Sequence, residues 1–297
     1  MRRSFIRALA VVLCLATSSV QAAYWVEAMA GPAGSCQLLR DGKPAELRTL
    51  MLLRENDRIT LAGQCSVVLA GTTDDHIRIT AANSPYDVPD AEPAPTALQN
   101  IEDWVVSWYN SQSEKALTEV AAVSRGDTAP AAPVLLEAVD SERNMLLAGT
   151  RSLEVRWTGG VGPYLVTLTD MRGQLVAKAE VTPSREKAVA LSGATLSLPA
   201  LQVADYELRV KAAESAQSVR IAVVPATQEP KTAASMLAPG VPEHIRQSYR
   251  AISLGSLYEW RFQALQIAAA YHLDSILERL VAGDFPELPT ADPAKPH

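Results

Sequence analysis

The sequence predicts a mixed, mainly β protein: two regions of short strands, with separate helical segments between and after them. Three observations carry that reading. Alternating apolar and polar residues broken by turn dipeptides fill residues 24–82 and again 134–224. The apolar spacing switches to the helical period over 97–123 and 242–283. Stretches rich in proline and small residues separate these parts and suit neither a sheet interior nor a helix. Composition agrees. The 297 residues are 48% apolar and 20% charged, which excludes a disordered or collagen-like chain and gives room for about two domains. With 27 basic and 33 acidic residues the net charge is −6, and there is no dense basic stripe. Nucleic acid is therefore not an expected partner.

Residues 1–22 read as an export signal. Arg2, Arg3 and Arg7 form a positive n-region, Ala8 to Ala16 an apolar h-region, and Val20-Gln21-Ala22 a small-x-small cleavage site. The apolar run is far shorter than the ~20 residues a membrane-spanning helix needs. Leu13 before Cys14 does not fit a lipobox. Cleavage near Ala22 takes the charge from −6 to −9 and places the chain in the periplasm or outside the cell, without a transmembrane anchor. It also leaves Cys36 and Cys65 as the one cysteine pair. In an oxidising compartment two cysteines have a single connectivity, so a structural disulfide is expected, with two buried free thiols as the alternative. No His or carboxylate ligands at short spacing and no C-x-x-C pattern point to a metal or redox site there.

The elements follow in order. Residues 24–82 hold Cys36–Arg40, the hairpin dipeptide Asp41-Gly42, Arg58–Leu61, Ser66–Ala70 and the alternating His76–Thr80, a small all-β module. Trp25 is expected to anchor the first strand. Residues 83–96, with Pro85, Pro89, Pro93 and Pro95, read as a linker. In 97–123, Ile101, Trp104, Val105 and Trp108 share one face of an amphipathic helix, with Thr96 as N-cap. Residues 124–133 are loose. In 134–224 eight runs follow: Val134–Val139, Leu153–Trp157, Tyr164–Thr169, Leu175–Glu180, Lys187–Leu191, Thr195–Leu198, Tyr206–Ala212 and Ser218–Val224. That is enough for a β-sandwich able to fold alone. Residues 225–241 read as a second linker and 242–283 as a C-terminal helical hairpin. Pro242 opens its first helix, which carries Ile245, Tyr249 and Ile252, and Gly255 breaks it. Ser256-Leu257-Tyr258-Glu259 caps a long second helix that Gly283 stops near Ala282. Residues 284–297 form a frayed tail.

Two resemblances rest on these residues. The run Gln37-Leu38-Leu39-Arg40-Asp41-Gly42, the step Leu50-Met51-Leu52-Leu53-Arg54-Glu55-Asn56-Asp57-Arg58-Ile59-Thr60, then Cys65–Leu69 and Ile77-Arg78-Ile79 make residues 31–80 resemble the FecR-like domain. Asn56 stands where that family usually has glycine, the best replacement at a left-handed position. FecR proteins proper span the membrane and relay to a sigma factor. Without a spanning helix the resemblance implies only an exported interaction module. Residues 134–224 resemble a bacterial immunoglobulin-like or fibronectin-type sandwich. Trp157 stands as its core tryptophan, and Ala204–Val210 as the strand carrying a tyrosine corner at Tyr206.

Candidate chemistry is sparse. Asp74-Asp75-His76 could bind a hard metal, but adjacent strand residues point to opposite faces, so a solvated turn competes with that reading. Ser184-Arg185-Glu186-Lys187 matches S-x-x-K without its companion elements or a helix. Gly159-Gly160-Val161-Gly162 lacks a following helix and reads as a loop. His244 and His272 are lone helical histidines. No catalytic, cofactor-binding or metal-ligating residues are assigned. Trp104, Trp108 and Tyr109, with Trp260 and Tyr271 on the C-terminal hairpin, form the possible interaction surface, with core packing as the competing role. The expected function is a non-enzymatic periplasmic scaffold or sensor accessory with protein partners in the envelope. Behind it stand binding of cell-wall glycan and a hydrolase with a site outside known motifs.

Overall fold

The computed structural model describes residues 23–32, 34–71, 76–89, 96–111, 133–135, 139, 142–182, 192–213, 215–237 and 240–287. The expected signal peptide, Asp74 and Asp75, the end of the 97–123 segment, the S-x-x-K run, Lys187–Leu191 and most of the tail lie outside them. Within them the protein is mainly β with four α-helices among the described residues.

The first β region makes two sheets. Strands β1 (Tyr24–Ala30), β5 (Ser66–Gly71) and β6 (His76–Ile79) pair antiparallel in the order β1-β5-β6. Strands β2 (Cys36–Arg40), β3 (Lys43–Ala45), β4 (Arg58–Leu61) and β7 (Tyr86–Asp87) form the second, in the order β3-β2-β4-β7. Val26, Leu38, Ile59, Val67, Leu69 and Ile79 fill the space between them. The Cys36–Cys65 disulfide is formed, with its Cα atoms 5.8 Å apart. It ties β2 in one sheet to the start of β5 in the other. Asp41 and Gly42 both take positive φ, 52° and 73°, the backbone a two-residue hairpin between Arg40 and Lys43 requires. Asn56 is left-handed at φ 64°. The stretch expected to be a linker supplies β7, which Pro85 permits because β7 lies at a sheet edge.

Helix α1 (Thr96–Asn110) begins at the expected N-cap residue. Its buried face carries Glu102, Val105, Val106 and Trp108, while Trp104 is only partly buried. The face is therefore turned toward Glu102 and Val106 relative to the expected stripe.

The second β region is a sandwich. One sheet runs β13 (Ser192–Ser197), β10 (Ser152–Gly159), β8 (Pro133–Leu135). The other runs β12 (Leu175–Val181), β11 (Tyr164–Asp170), β14 (Ala204–Lys211), β15 (Ala216–Val224), β9 (Asn144–Leu147). Between them lie Trp157, fully buried and edge-on to Tyr164 at 5.2 Å, with Leu153, Val166, Leu168 and Leu208. The Tyr206 hydroxyl donates to the Gln202 carbonyl at 3.2 Å, the tyrosine corner the sequence suggests. Strand β9 has no counterpart among the expected runs. It pairs parallel with β15, and its short apolar run is masked by the polar residues around it.

Three more helices follow: α2 (Glu243–Gly255), α3 (Arg261–Ala270) and α4 (Asp274–Val281). The expected long helix to Ala282 is broken at Tyr271–Leu273. His272 is left-handed at φ 53°. The Leu273 N–H bonds to the Ala268 carbonyl and the His272 N–H to the Ala269 carbonyl, a Schellman stop built without glycine. Gly283 makes the same stop for α4, as expected. The expected Ser256 capping box does not form, because the Ser256 hydroxyl donates backward to Ser253 instead. Gly255 is the last residue of α2 and not a left-handed stop. A Cβ there would lie 3.1 Å from Leu280 Cδ2, so glycine lets α4 approach. Residues 225–241, expected as a linker, pack Ala233, Ala234, Leu237 and Val241 against these helices.

The parts share a core. Trp25, Leu50 and Leu52 from the first β region meet Val105, Val106 and Trp108 of α1, Met145, Ala222 and Val224 of the sandwich, and the inner faces of α2, α3 and α4. Helix α3 also completes two strands. Gln266 accepts from the Glu154 N–H at 2.7 Å and donates to the Glu154 carbonyl at 2.9 Å, where β10 has run past β8. Gln263 accepts from the Leu147 N–H on edge strand β9 at 2.9 Å. Phe262 enters the sandwich core.

Two outcomes are expected. Gln266→Ala leaves one donor and one acceptor of β10 unpaired and lowers stability by about 2–3 kcal/mol in urea unfolding. A loss under about 0.5 kcal/mol would show that water serves β10 equally well. In denaturing mass spectrometry with an alkylating agent, neither Cys36 nor Cys65 labels until reductant is added.

Candidate functional site

A densely connected polar site lies where the first β region meets α1 and α2. It is built on Thr49–Leu53, a segment outside the strands apart from one bridge between Leu52 and Trp25. Leu50 is left-handed at φ 67° yet 3% exposed, so its side chain reaches the shared core while its backbone turns sharply. The backbone of the segment is satisfied from several directions. The Leu50 N–H bonds to the Val26 carbonyl, and the Leu53 N–H to that of Tyr24. Asn110 at the end of α1 accepts from the Thr49 N–H and donates to its carbonyl. The Tyr249 hydroxyl of α2 donates to the Leu50 carbonyl at 3.3 Å.

Leu52 is held by two ionisable side chains. Its N–H donates to Glu102 Oε1 at 2.7 Å, and its carbonyl accepts from Arg40 Nη2 at 3.1 Å. Arg40 is in turn gripped by Asp57, with Nε to Oδ1 at 3.0 Å and Nη2 to Oδ2 at 2.7 Å. Asp57 is fully buried and also accepts the Arg54 N–H. Asp57 thus fixes the turn after Leu53 directly through the Arg54 N–H and holds the Leu52 carbonyl through Arg40. Burial pushes Glu102 up to about 7, against the downward pull of the Leu52 N–H and Arg40. Burial likewise raises Tyr249 well above its ordinary range, and the charges of Glu102 and Asp103 add to it.

The residues expected to form an interaction surface fall into two groups. Trp108 and Trp260 are buried in the shared core, and Trp104 and Tyr109 pack against it. The Trp104 indole donates to the Glu287 carbonyl at 2.7 Å. Arg279 of α4 lies over the Trp108 ring at 3.9 Å and donates to the Trp108 and Tyr109 carbonyls, closing the C-terminal end of α1. Tyr271 stands apart, 42% exposed. Sequence reasoning missed Glu102, Arg40 and Asp57. Glu102 was legible: it lies three and four residues before Val105 and Val106, on a face that should bury it.

No protein-family model matches the chain. No curated protein matches it. Among solved structures, CopC from Methylosinus trichosporium OB3b aligns at 24% identity with a TM-score of 0.25, covering 33% of this chain and 98% of CopC. The BSP domain of a biofilm-associated protein aligns at 10% identity with a TM-score of 0.23, covering 71% of this chain and 26% of that one. At such TM-scores neither likeness bears on function.

Among the described residues, no group of three or more His, Cys, Asp or Glu is arranged to hold a metal ion, and no helix is long and apolar enough to cross a membrane. A groove of about 660 Å³ opens beside the disulfide, between the end of β1 and the β2–β3 hairpin. Its walls include Met29, Cys36, Leu38, Pro44 and Leu47, and no described lining residue is aromatic. Chemically, the Leu52 site can hold backbone in place and respond to protons.

That response has a sign. Glu102 in the fold keeps a proton that the unfolded chain loses above 4.5, so stability falls as pH rises from 4.5 to about 7. Fully ionising this group costs the fold about 3 kcal/mol. Glu102→Gln keeps an acceptor for Leu52 and cannot ionise. The variant is expected to match the wild type at about pH 4 and to exceed it by up to about 3 kcal/mol at about pH 8 in denaturant unfolding. An equal difference at both pH values would remove Glu102 from the account.

Proposed function

We propose that this protein is a non-enzymatic scaffold or sensor accessory of the bacterial envelope, exported to the periplasm or beyond and working through protein partners. The shared core carries this reading. It joins the two β regions through α1, α2, α3 and α4 and so fixes the outward surfaces of both relative to each other, which suits a protein that presents two surfaces at once. The disulfide supports an oxidising compartment. The leader-like N-terminus and the FecR-like step of residues 31–80 support an exported interaction module.

The test places a photo-crosslinking residue at exposed Met171 or Val203 on the sandwich and, separately, at exposed Lys43 on β3, in cells making the full chain. Purified protein is also sedimented with isolated peptidoglycan and passed through an esterase and peptidase screen. Discrete protein adducts from the envelope, without sedimentation or turnover, are the expected result. Sedimentation with peptidoglycan and no protein adduct would replace the scaffold by a glycan binder, and turnover in the screen would make it an enzyme.

A further inference from the structure

On the rim of the seam between the first β region and α2, three side chains from three elements meet. Glu27 of β1 sits between His76 of β6 and His244 at the start of α2. His76 Nδ1 is 2.7 Å from Glu27 Oε2. His244 Nε2 is 3.5 Å from Glu27 Oε1, is itself buried, and makes no hydrogen bond. The two rings stack with centroids 6.3 Å apart and planes 27° from parallel. Glu27 and His76 face His244 from the β side. On α2 the nearest charges, Glu243 and Arg246, lie 3.9 Å from each other.

We propose that Glu27, His76 and His244 form an acid-released clasp that holds the first turn of α2 to the first β region. With His244 neutral, His76 stays bonded to Glu27 and the two imidazole rings stack, which seats the first turn of α2 against the strands. A proton on His244 puts a cation at a buried nitrogen, beside a second imidazole and in competition with it for the same carboxylate. The tip of α2 relieves this by moving outward, where water solvates the charge. Burial, more than His76, lowers His244 below its ordinary value of 6.5, against the pull of Glu27. A base so lowered in the fold gives stability that is whole above 6.5 and is lost as pH falls below it, which is the direction the clasp requires. The clasp adds a regulated seam to the scaffold and does not depend on which partner the scaffold binds.

Hydrogen-exchange mass spectrometry of the full-length oxidised protein tests this. Exchange is corrected for the intrinsic effect of pH, and peptides covering residues 243–249 are compared with peptides from α3, which faces no histidine pair. Between about pH 7.5 and about pH 5.5, protection of the α2 tip should fall relative to α3, by up to about tenfold per pH unit for one linked proton. His244→Gln, which keeps a polar neutral group, should abolish the fall. His76→Gln, at a half-exposed strand position, should reduce it by leaving Glu27 free to pair with a charged His244. An unchanged α2 tip in the wild type, or the same fall in His244→Gln, overturns the clasp.

Discussion

The backbone of Thr49–Leu53 lies outside the named strands and bonds to the backbone of β1 alone among them, so the rest of its polar groups must be satisfied from elsewhere. They are met by several parts of the chain: Tyr24 and Val26 from β1, Arg40 from β2, Glu102 and Asn110 from α1, Tyr249 from α2. Apolar burial alone would let these elements slide over one another, since hydrophobic contact has little direction. The hydrogen bonds select one arrangement, because a shift of α1 by one turn would leave the Leu52 N–H and the Thr49 amide unpaired at once. Leu50 can hold its left-handed backbone only because both of its sides are fixed.

The sandwich is attached by the same logic. Its inner core is ordinary, but β10 outruns β8 and β9 ends its sheet. An exposed sheet edge invites pairing with another chain. Helix α3 answers with side-chain amides, whose N–H and C=O repeat the donor and acceptor a neighbouring strand would offer. Gln263 and Gln266 face these strands while Phe262 enters the sandwich core and Ala264, Ile267 and Ala268 enter the shared one. A helix buried on two sides shows almost no single apolar stripe, which is why its sequence reads as apolar nearly all round.

What was legible in the sequence follows from how local each signal is. The Asp41-Gly42 hairpin, Asn56, the tyrosine corner and the Gly283 stop each depend on a few consecutive residues, and each was readable. The break at His272 was not, because a Schellman stop normally advertises itself with glycine and here the left-handed residue is a histidine. Strand β9 was missed because four residues carry too little periodicity and its pairing is to a strand more than seventy positions away. The site was the least legible part. The helical period places Glu102 on the face of Val105 and Val106, but nothing local says that Leu52, fifty residues earlier, will need its carboxylate. Glu27, His76 and His244 are likewise brought together only by the packing of α2 on the first β region.

Protonation acts on the two ends of that seam with opposite sign. Glu102 lies deep in it and resists charge, so its contribution favours the fold in acid and weakens toward neutrality. His244 lies at the rim and also resists charge, but as a base, so its contribution is whole above 6.5 and weakens in acid. Both shifts have one cause, the removal of water as α1 and α2 close on the β surface. The seam is therefore held from both sides of neutrality. Acid strains the rim while relieving the buried Glu102 of the cost of carrying a charge, so the tip of α2 can yield without the scaffold coming apart. Base strains the interior, where Arg40 and the Leu52 N–H carry the Glu102 charge. A seam made only of apolar contacts would have neither dependence. The polar groups that fix the relative placement of the β region and the helices are also what make that placement responsive to pH.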